Sequence, residues 1–121
     1  MDKKYTLVVG ASEKSMRYSN MAVKLLTDFE HSVYAYGLRK GMINDVEINT
    51  EWPKTENFNT ITMYIGPQNQ TVYYDKIIAL NPQRVIFNPG TENDELAEKL
   101  REKGVEVVEN CTLVMLNTGV F

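Results

Sequence analysis

Thr6-Leu7-Val8-Val9-Gly10-Ala11-Ser12-Glu13-Lys14-Ser15-Met16-Arg17-Tyr18-Ser19-Asn20 is the stretch whose reading decides the fold. An apolar, β-branched run stops at Gly10, small residues follow, and an apolar pattern of helical period begins at Tyr18. Strand, loop and helix start, in that order, open a nucleotide-binding βαβ unit. The first N–H groups of a helix, aided by its dipole, attract anions. Gly10 lets the backbone approach a ligand where a Cβ would collide. The dinucleotide fingerprint has three glycines and only Gly10 stands here. No Gly-Lys-Ser/Thr follows to make a Walker loop. An ordinary strand-turn-helix with a glycine in its turn is the alternative.

Working outward, Tyr18, Met21, Ala22, Leu25, Leu26 and Phe29 form one apolar helical stripe, with Ser19 or Asn20 as the expected cap. Ser32 to Tyr36 reads as strand two and Leu38-Arg39-Lys40-Gly41 as a basic turn. An NAD site carries an acid at that place for the ribose hydroxyls; two cations favour a ligand with an additional phosphate. Val46-Glu47-Ile48 alternates like a short strand within the least regular segment, 42–59. Asn59 to Gly66 reads as a third main strand, and a helix from Asn69 or Thr71 to Leu80 is stopped by Asn81-Pro82. Arg84 to Phe87 is a fourth strand. Thr91 with Asp94 resembles a capping box before the helix that buries Leu96, Ala97 and Leu100 and stops at Gly104. Val105 to Glu109 is a fifth strand, and Cys111 to Phe121 a short packed helix. This alternation predicts an α/β, Rossmann-like three-layer fold with a mainly parallel sheet of about five strands, in one domain spanning 1–121.

The formal net charge of -3 argues against bulk nucleic-acid or membrane binding, though not against a local basic site. No apolar run approaches the roughly 20 residues of a membrane span, and the N-terminus lacks a signal-peptide core. The lone Cys111 excludes an internal disulfide, so a reducing, cytoplasmic setting is the simplest reading.

The loops after the strands share one edge of an open parallel sheet and form its ligand crevice. Here they are Gly10-Ala11-Ser12, Gly37-Leu38-Arg39, Gly66-Pro67 and Asn88-Pro89-Gly90. Tight turns alone explain part of this pattern. With Lys14, Arg17, Arg39 and Lys40 nearby, an anionic-ligand site explains it better. On Val8-Val9-Gly10-Ala11-Ser12, the helix from Ser19, Gly66-Pro67, Asn88-Pro89-Gly90-Thr91-Glu92 and Val107-Val108-Glu109-Asn110-Cys111-Thr112, the chain resembles the small CoA-binding proteins of Rossmann-like fold. These are similar to the CoA-binding domain of the succinyl-CoA synthetase α subunit. The resemblance implies CoA, or a similar adenine nucleotide, lying across the crevice. It implies Gly10, Ala11 and Ser12 at the pyrophosphate through backbone N–H groups, and Ser19 and Asn20 adding polar contacts. Arg39 or Lys40 would face the ribose phosphate, Gly66 and Pro67 the adenine, and Asn88 with Gly90 the pantetheine arm. The chain departs from the family in having Ala35-Tyr36-Gly37-Leu38-Arg39 where a Pro-Val-Asn-Pro-like segment is usual; Gly37 is expected to widen the pocket, and Tyr36 either to stack on the ligand or to obstruct it. Asn88-Pro89-Gly90 also replaces a glutamine-rich turn.

A catalyst is harder to find. His31, the only histidine, falls at the far end of the first helix, which predicts a structural or surface role. One His and one Cys cannot make a zinc site, and Cys111 reads as buried and inert. Glu92, Asp94 and Glu95 open a helix, where the dipole explains them. Tyr73 and Tyr74 are expected on different faces, one in the core and one at the surface, and Trp52 as a loop anchor. The expectation is non-catalytic binding of CoA or an acyl-CoA, to sense or carry it or to work with a separate enzyme subunit. The alternatives are a small NADP-binding oxidoreductase-like protein, or a scaffold that has lost ligand binding. The tail from Thr112 carries no charge; it is expected to pack on its own domain, with a homodimer interface as the alternative.

Overall fold

A computed structural model describes residues 2–54 and 57–121. Its strands are β1 (Thr6–Val9), β2 (Val33–Tyr36), β3 (Gly41–Ile43), β4 (Val46–Asn49), β5 (Thr60–Met63), β6 (Arg84–Phe87) and β7 (Glu106–Glu109). Its helices are α1 (Tyr18–Asp28), α2 (Tyr74–Leu80), α3 (Asp94–Glu102) and α4 (Thr112–Asn117). All strands join one sheet in the order β3-β4-β2-β1-β5-β6-β7, parallel except for the β3–β4 pair. The fold is thus α/β and Rossmann-like as expected, with seven strands rather than about five. The surplus is a hairpin in the segment read as irregular. Ile43 pairs with Val46, so Asn44-Asp45 makes a two-residue turn, with Asn44 at φ 51°.

The central strands are buried on both faces, which is why their sequences run apolar rather than alternating. On one face Leu7, Val9, Ile61, Met63, Val85 and Phe87 pack against Ile77 of α2 and Leu96 and Leu100 of α3. On the other, Val8, Ala35, Ile48 and Ile86 pack against Val23 and Leu26 of α1 and Met115 and Leu116 of α4. Phe121 joins this second core, so the apolar tail packs on its own chain.

Three local readings are corrected. The cap residue of α1 is Arg17, without a side-chain cap bond; Ser19 and Asn20 fall inside the first turn and are buried. The buried face of α1 accordingly runs through Ser19, Ala22, Val23 and Leu26, leaving Tyr18 and Met21 exposed. Two 3₁₀ turns, Pro67–Asn69 and Thr71–Tyr73, precede α2, which starts only at Tyr74. And α3 is capped by Asn93, whose side chain accepts from the Leu96 N–H, while the Thr91 hydroxyl donates to the Asn88 carbonyl. Among the described residues, no helix is long and apolar enough to cross a membrane.

Candidate functional site

β1, β2, β5 and β6 run parallel, so the loops that follow them emerge on one edge. There a cavity of about 610 Å³ opens, walled by the β1–α1 loop, Leu38 and Arg39, Tyr64 to Gly66 and Pro89 to Thr91. Gly10 stands at φ 100°, and a Cβ there would lie 2.9 Å from Ile65 Cγ2 and 3.1 Å from the Tyr64 carbonyl. No larger residue fits between β1 and β5 at that point. The Gly10 and Ala11 N–H groups both donate to the Tyr36 carbonyl at 2.9 Å. In this structure their amides join the first two loops. Among the described residues, no such bond occupies the Ser12 and Glu13 amides. These, with the first turn of α1, are the donors the loop offers to an anion.

Of the residues picked out from the sequence, Gly10, Ala11, Ser12, Lys14, Arg17, Ser19, Arg39, Gly66 and Gly90 line this cavity. Among the described residues, Lys14, Arg17 and Arg39 put three cations on its wall, against one acid, Glu13. The others stand elsewhere. Asn20 is buried beside the loop, its Nδ2 donating to the Ser12 carbonyl at 2.9 Å. Lys40 and Pro67 lie off the wall. Gly37 is buried, and a Cβ there would run into the Ala11 carbonyl oxygen. Its smallness lets the second loop touch the first, and it lines a smaller, adjoining cavity rather than this one. Asn88 is 2% exposed. Its Nδ2 donates to Thr62 Oγ1 (2.7 Å) and the Met63 carbonyl (2.8 Å), and its Oδ1 accepts from the Thr112 N–H (2.8 Å). It ties the ends of β5 and β6 to the start of α4.

Sequence reasoning named Leu38 and Pro89 only as members of the crevice loops, and missed Glu13, Tyr18, Tyr64, Ile65 and Thr91 as lining residues. Tyr18 and Leu38 are 70% and 86% exposed although they border a cavity, an apolar rim that polarity patterns do not announce. A second cavity of about 270 Å³ shares Gly10, Leu38 and Ile65 with the first and is backed by Tyr36 and Tyr73. The Tyr36 and Tyr73 hydroxyls are hydrogen-bonded at 2.9 Å, and Trp52 stacks on Tyr73 with ring centroids 5.2 Å apart. Trp52 is thus the anchor expected of it. Tyr73 and Tyr74 are both half-buried and pack on the same core, against the expectation that one would be surface. Burial, and then the bond to Tyr73, push the Tyr36 phenol up to about 12. Burial likewise raises the Tyr64 phenol. Both phenols are neutral at physiological pH.

His31 is buried at the opposite edge of the sheet, its Nδ1 accepting the Lys4 N–H at 2.9 Å and its ring edge-on to Phe121. Its role is structural. Cys111 is half-buried, just before α4, rather than fully enclosed. Among the described residues, no three His, Cys, Asp or Glu side chains gather as a metal site would need.

A parallel α/β sheet whose first loop, basic turn and helix start converge on a cationic crevice defines a Rossmann-like ligand-binding domain. The chain belongs to the CoA binding domain family, whose model matches residues 4–117. It is similar over 100% of both chains to a crystal structure of an uncharacterized protein, at 45% identity and a TM-score of 0.97. A structure from Thermus thermophilus has 19% identity and a TM-score of 0.85, covering 98% of this chain and 91% of the other. A hypothetical protein from Pyrococcus horikoshii OT3 has 21% identity and a TM-score of 0.85, covering 98% and 84%. These last two share the fold. No curated protein matches the sequence.

Proposed function

We propose that this protein is a non-catalytic module that binds CoA or an acyl-CoA at the carboxyl edge of its sheet. The observation that carries the reading is the set of three cations, Lys14, Arg17 and Arg39, around the unoccupied amides of Ser12 and Glu13 on one cavity wall. Family membership supports the choice of CoA among anionic ligands. In this reading the diphosphate lies against the Ser12–Glu13 amides and the start of α1, with Lys14 and Arg17 as counter-charges. Arg39 takes the ribose phosphate. The base enters the smaller cavity, between Leu38, Ile65 and the Tyr36–Tyr73 pair, where an apolar, aromatic wall suits a planar ring. The pantetheine arm runs past Tyr64 to Pro89 and Gly90. Of the sequence-derived residues, Asn20, Gly37 and Asn88 shape the loops, and Lys40 adds charge outside the wall.

Calorimetric titration with CoA, acetyl-CoA, NADPH, NADH and ATP tests this. CoA and acetyl-CoA are expected to bind, with affinity falling as salt rises because phosphate contacts are screened. NADPH binding without CoA binding would replace the proposal with the NADP reading, which the cation after β2 also favours. No binding by any of the five would mark a scaffold.

A further inference from the structure

Among the described residues Glu13 is the one acid on the cavity wall, where a carboxylate repels the phosphates that the proposed function brings there. Its side chain is not free. Oε2 accepts the Met42 N–H at 3.1 Å. The stem lies over Gly41 so closely that a Cβ on that glycine would overlap Glu13 Cγ and Cδ. Gly41 and Met42 are the first residues of β3, directly after the turn that carries Arg39. The β3–β4 hairpin pairs with β2 over a short register, Ala35 with Ile48 and Tyr36 with Asn49, extended by the Gly37 N–H on the Asn49 carbonyl, and it buries Ile43 and Ile48 in the core beside α1. The turn is thus anchored at its start by Gly37 and at its exit by Glu13. Between these anchors Leu38, Arg39 and Lys40 are exposed.

We infer that Glu13 is a positioning residue for ligand binding: clamped on the Gly41–Met42 backbone, it fixes the exit of the basic turn so that Arg39 stands on the cavity wall. The role rests on the CoA reading and adds to it a residue that acts through Arg39. It also reverses a simple electrostatic expectation. If Glu13 only repelled phosphate, any variant that removed its charge would bind CoA more tightly. With a clamp, the outcome depends on whether an acceptor remains. Gln keeps a carbonyl for the Met42 N–H and loses the charge; Ala loses both.

The experiment is a double-mutant cycle read by calorimetry with CoA, on the unaltered protein, Glu13→Gln, Glu13→Ala, Arg39→Ala and the Glu13→Ala/Arg39→Ala pair. Losing a hydrogen bond that orders the turn is expected to weaken binding about fivefold to tenfold in Glu13→Ala. Glu13→Gln is expected to bind as tightly as the unaltered protein or more so. In the Arg39→Ala background the cost of Glu13→Ala should vanish, since the clamp then positions nothing. Gly41→Ala, which expels the Glu13 side chain from the other side, should reproduce the Glu13→Ala loss. Amide exchange at Met42 reads the clamp directly, slow in the unaltered protein and in Glu13→Gln and fast in Glu13→Ala. Equal or tighter CoA binding by Glu13→Ala, or the same loss with and without Arg39, overturns the role. Absence of CoA binding by the unaltered protein overturns the functional reading itself, and this role with it.

Discussion

At the scale of single residues, the site is organised by side chains that are missing as much as by those present. Gly37 makes the point, since any Cβ there meets the Ala11 carbonyl oxygen and, at 3.0 Å, Ile48 Cγ2. Neither neighbour is the loose end of a flexible chain. Gly37→Ala is therefore expected to cost about 1–3 kcal/mol in a urea titration and to weaken CoA binding by moving the first loop. An alanine variant as stable as the parent would show that the two loops are not packed through this glycine. Asn88 is the second case. Truncation to alanine strands the Thr112 N–H and the Met63 carbonyl in the interior, at about 2–4 kcal/mol in total. The expected signature is a lowered unfolding midpoint, with CoA affinity retained when measured well below that midpoint. The sequence made the Gly10 loop and the basic turn legible, because glycine after a strand and paired cations are local signals. It could not reveal that Asn88 turns inward. Its partners Thr62 and Thr112 lie 26 and 24 residues away, and only the packed sheet brings them together.

At the scale of elements, strand and helix order was readable from period and burial, and termini were less so. α3 is an example. A threonine three residues before an acid looks like a capping box, yet Asn93 sits one residue before the helix and takes the cap. Its Nδ2 also donates to Gln70 Oε1 and to the Tyr74 hydroxyl, so it joins α3 to the turns before α2. Asn93→Ala is expected to destabilise by about 1–2 kcal/mol, while Asp94→Ala should cost only a few tenths. A thermal melt of the two variants decides; equal shifts would mean that helix-dipole charge, not the cap, holds the end. The β3–β4 hairpin was half legible. Val46-Glu47-Ile48 alternates, but β3 has only three residues and its polarity pattern is too short to register. The apolar stripe of α1 was misplaced for a different reason. Tyr18 is a hydrophobic residue at the right period, but it sits at the cavity rim, where the sheet offers no partner.

At the scale of the whole molecule, stability is tied to a histidine far from the crevice. Burial first, and then Lys3, Lys4 and Arg84, hold the His31 imidazole below its ordinary 6.5. Protonation would also place a hydrogen on Nδ1, which must stay bare to accept the Lys4 N–H. The unfolded chain binds that proton more readily than the folded one, so stability is full above the unfolded value and declines as pH falls through it. Urea midpoints are expected to drop between about pH 7.5 and pH 5.5, and His31→Gln should flatten that slope. An unchanged slope in the variant would place the acid sensitivity in other groups. The sheet's margins bear on a different property. One is β3, three residues long; the other is β7, which begins and ends on the exposed carboxylates of Glu106 and Glu109. An open strand margin is a template onto which another backbone can zip, and fibrils grow from such templates. With one margin too short and the other negatively charged, crowded solutions of the folded protein favour dispersed molecules over stacked, cross-linked strands.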